Sequence, residues 1–127
     1  MAGKLVHFEI HAKDADRATK FYSAIFGWEF ADSGMPGVDY RMVRTGEDQG
    51  GAVFAAEDGE TKLKVYFDTD DIDGSVAKVR EAGGEADDKQ PIPTIGWWSD
   101  CKDTEGNSFS LYQNDESAPM PEGQPQG

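Results

Sequence analysis

Residues 6–28 read VHFEIHAKDADRATKFYSAIFGW, and the fold is decided by how this stretch is read. Its opening alternates strictly. Val6, Phe8 and Ile10 point one way, and His7, Glu9 and His11 point the other, as in a strand with one buried face. A polar break, Ala12-Lys13-Asp14, follows. The next run is amphipathic, with Ala18, Phe21, Tyr22, Ile25 and Phe26 at helical spacing, and Gly27 closes it. The order is strand, cap, helix, glycine stop. Two histidines and a glutamate therefore share the strand face that does not pack the helix, and that face is the first place to look for binding or chemistry.

The rest of module one follows from this stretch. Trp28-Glu29-Phe30 predicts a short strand, and Ala31 to Val38, with Gly34, Pro36 and Gly37, predicts a loop. Tyr40–Thr45 reads as a strand, Gly46–Gly51 as a turn and Ala52–Ala56 as the next strand. The second half repeats the order. Leu63, Val65 and Phe67 alternate with Lys64, Tyr66 and Asp68. Asp70 and Asp71 then precede a helix from about Ile72 to Ala82, where acidic residues complement the helix dipole, and Gly83-Gly84 stop it. Glu85–Asp88 predicts a short strand, Pro91 and Pro93 a loop, Trp97–Lys102 and Ser108–Gln113 two strands joined by the turn Asp103–Asn107. Aligning Gly27 with Gly83 sets His7 against Leu63. The expected architecture is α+β: two βαβββ modules, over 4–57 and 62–113, forming a curved mixed sheet around a central cavity with the helices outside. They make one domain over 1–116, with a flexible tail over 117–127.

The totals exclude several functions. The chain has 127 residues, enough for one domain with a real core. Twelve Lys and Arg stand against 25 Asp and Glu, a net charge of −13. That balance excludes nucleic acid, whose phosphates need cations, and an anionic membrane surface. A single cysteine forms no internal disulfide and no cysteine zinc cluster. Cys101 reads as a small buried hydrophobe, and Asp70, Asp71 and Asp73 read as capping, because a calcium loop would need a distal Glu. No leader or spanning segment is visible, so a soluble cytoplasmic protein is expected.

Several pieces of the sequence occur together in one known superfamily. They are the H-F-E-I start, Phe21-Tyr22, Ile25-Phe26-Gly27-Trp28, the Asp70-Asp71-Ile72 helix entry, Ala82-Gly83-Gly84, and Asp103-Thr104-Glu105-Gly106-Asn107 before the last strand. In this order and spacing, over roughly residues 5–113, the chain resembles the vicinal oxygen chelate superfamily, which includes glyoxalase I, bleomycin-resistance proteins and extradiol dioxygenases. It is most similar to the small glyoxalase-like bacterial members. The resemblance implies a homodimer. For the metal-dependent members it implies four ligands on the cavity-facing strands, each His, Glu or Gln. Those positions fall on His7, on Gly51 or Ala52, on about Lys64, and on Ser110. Only His7 is a good ligand type. Glycine and alanine offer no donor, an ammonium repels a cation, and a neutral serine is poor. The usual metal site is read as lost, and no cofactor is expected.

His7, Glu9 and His11 leave another metal reading open. Same-face neighbours on a strand are about 6.6–7 Å apart, so two adjacent ones can share an ion, while all three are too spread without a bulge. Strand parity supplies the remaining candidates. Lys64 and Tyr66 face the cavity from the strand opening the second half, and Ser110 and Tyr112 face it from the last. One of Trp97 and Trp98 faces inward and suits a flat or aromatic ligand. Glu9 is the candidate general base, or it pairs with Lys64 across the cavity without chemistry.

Three functions are carried forward. The first is metal-independent binding of a small molecule in the cavity, by His7, Glu9, Lys64, Tyr66, Trp97, Trp98, Ser110 and Tyr112. The second is a glyoxalase-type lyase or isomerase holding a divalent metal atypically through His7 and Glu9. The third is a non-catalytic interaction subunit with a vestigial cavity.

Overall fold

The computed structural model describes residues 3–34, 36–47, 49–56 and 58–119. The described residues form two compact units, one within residues 6–65 and the other within residues 1–5 and 66–127. Both are α+β. The first carries β1 (Leu5–Ala12), α1 (Ala15–Phe26), β2 (Ala31–Asp32), β3 (Tyr40–Gly46) and β4 (Gln49–Ala55). β5 (Lys62–Asp68) spans the boundary. The second continues with α2 (Ile72–Glu81), β6 (Glu85–Ala86), β7 (Gln90–Ile92), β8 (Gly96–Lys102) and β9 (Ser108–Asn114). Among the described residues no helix is long and apolar enough to cross a membrane.

The repeat is visible in the pairing. In the first unit the strand order is β2-β3-β4-β1, with β1 parallel to β4 and the others antiparallel. In the second it is β5-β9-β8-β6, with β5 parallel to β9, and β7 also pairs with β8. Each unit is thus βαβββ, the second with the extra short strand β7. The sequence reads β7 as a loop because of Pro91. Proline survives there because β7 pairs on one side only, where no ladder donor is needed.

The helix caps correct the alignment of the two halves. Asp14 accepts from Arg17 N at the start of α1, and Asp71 accepts from Gly74 N at the start of α2. With these caps as anchors, His7 corresponds to Lys64 and Glu9 to Tyr66. Aligning Gly27 with Gly83 is one residue off, because α2 is two residues shorter than α1 and Gly83 follows its C-cap Ala82, whereas Gly27 is itself the C-cap of α1. Gly27 takes the left-handed conformation, φ 70°, and donates to Ser23 O, a helix end that favours glycine.

Each helix buries a narrow face. In the first unit Ala15, Ala12 and Val53 form the core, with Ile10, Ala18, Phe30 and Ala55 against it. In the second, Ile72, Val76, Cys101 and Leu111 do so, joined by Val79, Ala86, Trp97 and Phe109. Completely enclosed side chains such as Val53 and Ile72 contribute about 1.5–3 kcal/mol each. The inward stripe of α1 is Ala15, Ala18, Thr19 and Tyr22, at i, i+3, i+4 and i+7. Phe21, Ile25 and Phe26, read from the sequence as part of the apolar face, are more than half exposed. They lie beyond the narrow stripe that the sheet covers.

Three further boundaries differ from the sequence reading. The short strand after α1 is Ala31–Asp32 and not Trp28–Phe30. Trp28 is held instead in an aromatic cluster, with ring centroids 4.9 Å from Phe26, 5.7 Å from Phe8 and 5.8 Å from Tyr22. β4 begins at Gln49, so Gly50 and Gly51 are strand residues and not turn residues. Their glycine character serves close packing: a Cβ on Gly51 would lie 2.4 Å from the Phe8 ring. Finally, the chain beyond β9 turns back. Asp115 N donates to Ile95 O, Thr94 N donates to Ala118 O, and Ala118 is buried. Residues 120–127 of the expected tail lie outside the described residues.

Candidate functional site

In the first unit the register fixes a polar row on the face opposite α1. Phe8, Ile10 and Ala12 pack toward the helix, so His7, Glu9 and His11 point away from it. Their neighbours on β4 are Gly50, Ala52 and Phe54, and Phe54 also pairs with Tyr40 of β3. Two strand spacings separate β3 from β1, about 9.6 Å. Tyr40 spans them over Ala52, whose methyl side chain leaves the path open.

The four polar side chains form one continuous chain of hydrogen bonds. Tyr40 Oη donates to Glu9 Oε2 at 2.8 Å and lies 2.6 Å from His7 Nε2. His11 Nε2 lies 3.0 Å from Glu9 Oε1. A carboxylate only accepts, so Tyr40 spends its proton on Glu9 and accepts from His7 Nε2–H. That assignment puts the imidazole lone pair of His7 on Nδ1. Burial holds the His7 pKa below its ordinary value of 6.5, and the nearby Glu9 charge opposes that shift only partly. His7 is therefore neutral at pH 7. The ring of His11 packs edge-on against Phe54, centroids 5.0 Å apart, and Tyr40 packs against the same ring at 5.9 Å. The row offers a neutral imidazole, a phenol and a carboxylate already oriented by one another. It can hydrogen-bond a polar group of a small molecule or relay a proton.

The donor set does not fit the metal that the superfamily implies. On β4 His7 stands opposite Gly50 and Glu9 opposite Ala52, and neither partner carries a side-chain donor. The Tyr40 hydroxyl bridges His7 and Glu9, which a shared ion would otherwise connect. Among the described residues no three His, Cys, Asp or Glu side chains form a group able to hold a metal ion.

The second unit has its own row on the face opposite α2. Tyr66, Ser110 and Asp100 are cross-strand neighbours on β5, β9 and β8. Ser110 is fully buried and donates to Asp100 Oδ1 at 2.6 Å. The next register row brings Trp98 beside Tyr112. Tyr112 donates to Asn114 Oδ1 at 3.0 Å, and burial raises its pKa above 10. Trp97 takes the other face of β8. It packs against the α2 core, its Nε1 donates to Asp115 Oδ2 at 3.0 Å, and Lys89 Nζ lies 4.3 Å over its ring. Of the two tryptophans, Trp98 is the one that shares a face with Tyr112.

The structure thus brings His7 and Glu9 together in one unit, and Tyr66, Ser110, Tyr112 and Trp98 onto one face of the other. Lys64, half-buried, lies on β5 within the first unit, on the strand face that alternates with Leu63 and Val65. Two participants were missed by the sequence reading. Tyr40 is separated from Glu9 by 31 residues, and only the strand order makes them neighbours. Asp100 is readable by parity once Trp98 is placed, since it lies two residues further along the same strand.

Paired βαβββ modules with these polar strand rows define a protein of the vicinal oxygen chelate class. The chain belongs to the glyoxalase-like domain family, whose model matches residues 7–112. A relative from Mycobacterium tuberculosis named as a glyoxylase, CFP32, is 30% identical over 115 residues, 87% of this chain and 44% of that protein. A glyoxylase-like domain-containing protein of Didymella fabae is 29% identical over 118 residues, 86% of this chain and 92% of that one. The chain therefore spans less than half of CFP32 and nearly all of the Didymella protein. Among solved structures, the protein BH1468 of Bacillus halodurans superposes with a TM-score of 0.72 at 14% identity, covering 93% of this chain and 99% of that one. Methylmalonyl-CoA epimerase of Mycobacterium tuberculosis superposes with a TM-score of 0.67 at 15% identity, covering 93% and 89%. At those identities the structural likeness speaks for the fold alone.

Proposed function

We propose that the chain binds a small molecule without a metal, through the Tyr40–Glu9–His7–His11 row. One observation carries this reading: the Tyr40 hydroxyl stands between His7 Nε2 and Glu9 Oε2, at 2.6 and 2.8 Å. The side chains that would have converged on an ion are committed to each other. Ala52 on the intervening strand supports the same reading, because a ligating side chain there would close the path that Tyr40 takes. A phenol beside a neutral imidazole suits a carbonyl or carboxylate oxygen.

The test combines metal analysis with ligand screening. Untagged protein is expected to carry no stoichiometric nickel, zinc, iron or manganese. Small carbonyl compounds and carboxylates should include ligands that raise its melting temperature by mass action, and Tyr40→Phe should weaken them about tenfold, as expected for losing one oriented hydrogen bond. Stoichiometric metal that disappears in His7→Ala would overturn the proposal in favour of an atypical metal-dependent lyase.

A further inference from the structure

A recess lies in the first unit, where α1, the end of β1 and the start of β5 meet. It is an open groove of about 600 Å³. Its apolar lining includes Ile10, Ala18, Phe21, Tyr22 and Leu63. Two of these are unusually open for large hydrophobic residues: Phe21 is 57% exposed and Leu63 72%. Leu63 has the core-facing parity of Val65 and Phe67, so its exposure reflects an uncovered apolar surface and not a residue on the solvent side of its strand.

The groove also carries cations. Lys13, Arg17 and Lys62 line it, three of the twelve Lys and Arg in a chain of net charge −13. Among the described residues none of the three forms an ion pair. The carboxylate on this lining, Asp14, is engaged as the N-cap of α1. Asp14 keeps its charge and feels that of Arg17, so three cations and one carboxylate leave the lining net positive in a chain where acids outnumber bases about two to one, a complement to a specific charge pattern. The pattern is an aliphatic body with an anionic head. A second copy of the chain is the competing occupant, and the test below separates the two.

We propose that this groove binds a single-chain amphiphilic carboxylate. The alkyl chain lies on Phe21, Leu63 and Ala18, and the carboxylate pairs with Arg17 and Lys62, Arg presenting the planar fork that suits a carboxylate. The site is separate from the Tyr40 network except that His11 borders both.

Titration calorimetry of the full chain at low salt tests this, with dodecanoate kept below its micellar concentration as the probe. One saturable site is expected. The double reversal Arg17→Glu, Lys62→Glu should weaken it at least tenfold, as should Leu63→Ser. All these positions are exposed, and circular dichroism checks that the variants stay folded. Dodecyltrimethylammonium, with the same chain and opposite charge, should not saturate. The proposal is overturned if dodecanoate fails to bind, if the charge reversal leaves its affinity unchanged, or if the cationic amphiphile binds equally well. It is also overturned if Tyr40→Phe abolishes dodecanoate binding, which would place the probe in the other site. A wild-type dimer in sedimentation that dissociates on Phe21→Ser, without dodecanoate binding, would assign the groove to a second copy instead. Loss of metal-free ligand binding at the Tyr40 row would leave these outcomes unaffected.

Discussion

Tyr40 and Glu9 lie on strands that do not touch, yet the tyrosine hydroxyl donates to the carboxylate at 2.8 Å. The bond passes over β4, between β3 and β1, at a point where β4 presents only Ala52. It therefore ties three strands together, and it orients His7 through the same hydroxyl. The phenol thus holds the carboxylate and the imidazole in fixed relation to each other.

The direct consequence concerns Tyr40→Phe. The ring and its packing on Phe54 survive, but Glu9 and His7 each lose a partner in a half-buried setting. The expected cost is about 1–3 kcal/mol, the penalty of leaving a buried polar group unsatisfied. Urea unfolding of the variant against wild type measures it. A change below about 0.5 kcal/mol, the level of an ordinary surface substitution, would mean that the network adds nothing to stability.

Gly51 makes a separate prediction about packing. An alanine there would put its Cβ 2.4 Å from the Phe8 ring, and that ring is hemmed in by Trp28 at 5.7 Å. Gly51→Ala should destabilise the chain by about 1–3 kcal/mol, the usual cost of overpacking. Phe8→Leu should absorb much of that cost in the double variant, and a double-mutant cycle reads the coupling. Additive effects of the two substitutions would contradict the clash.

The lowered pKa of His7 predicts a pH dependence of stability. Above about pH 6.5, the ordinary histidine value, the ring is neutral in both folded and unfolded chains, and it contributes no slope. As the pH falls below that value the unfolded chain takes the proton first. Stability drops until the pH reaches the lower folded pKa, and then levels. The sign is that of a group whose charged form is disfavoured by folding. His7→Gln keeps a donor for Tyr40 but does not titrate. The difference in unfolding free energy between wild type and His7→Gln should therefore shrink as the pH is lowered from 7.5 to 5.5. A constant difference would show that burial does not shift His7.

Much of this was legible in the residues, and the reason is local. Alternation in VHFEIH and LKVYFD gives strands, Asp14 and Asp71 give helix starts, and Gly27 gives a helix stop. Each depends on chain neighbours only. From them come the two βαβββ modules, the family, and the polar face of β1. What could not be read is equally instructive. The width of the inward stripe on α1 depends on how much sheet lies beneath it, so Phe21, Ile25 and Phe26 looked like core and are not. Gly50 and Gly51 looked like a turn because the sequence does not show the Phe8 ring that crowds one of them.

The sequence by itself determined the alternating faces, and hence that His7, Glu9 and His11 stand together on one side of β1. Only the tertiary structure decided which partners that side meets. Strand order β3-β4-β1 and the register Glu9–Ala52–Met42 carry Tyr40 across to the carboxylate, a contact between residues 31 apart. Periodicity reports which way a side chain points, because that is a property of the local backbone. Which partner it meets depends on strand pairing, and pairing is a long-range choice that no single stretch contains.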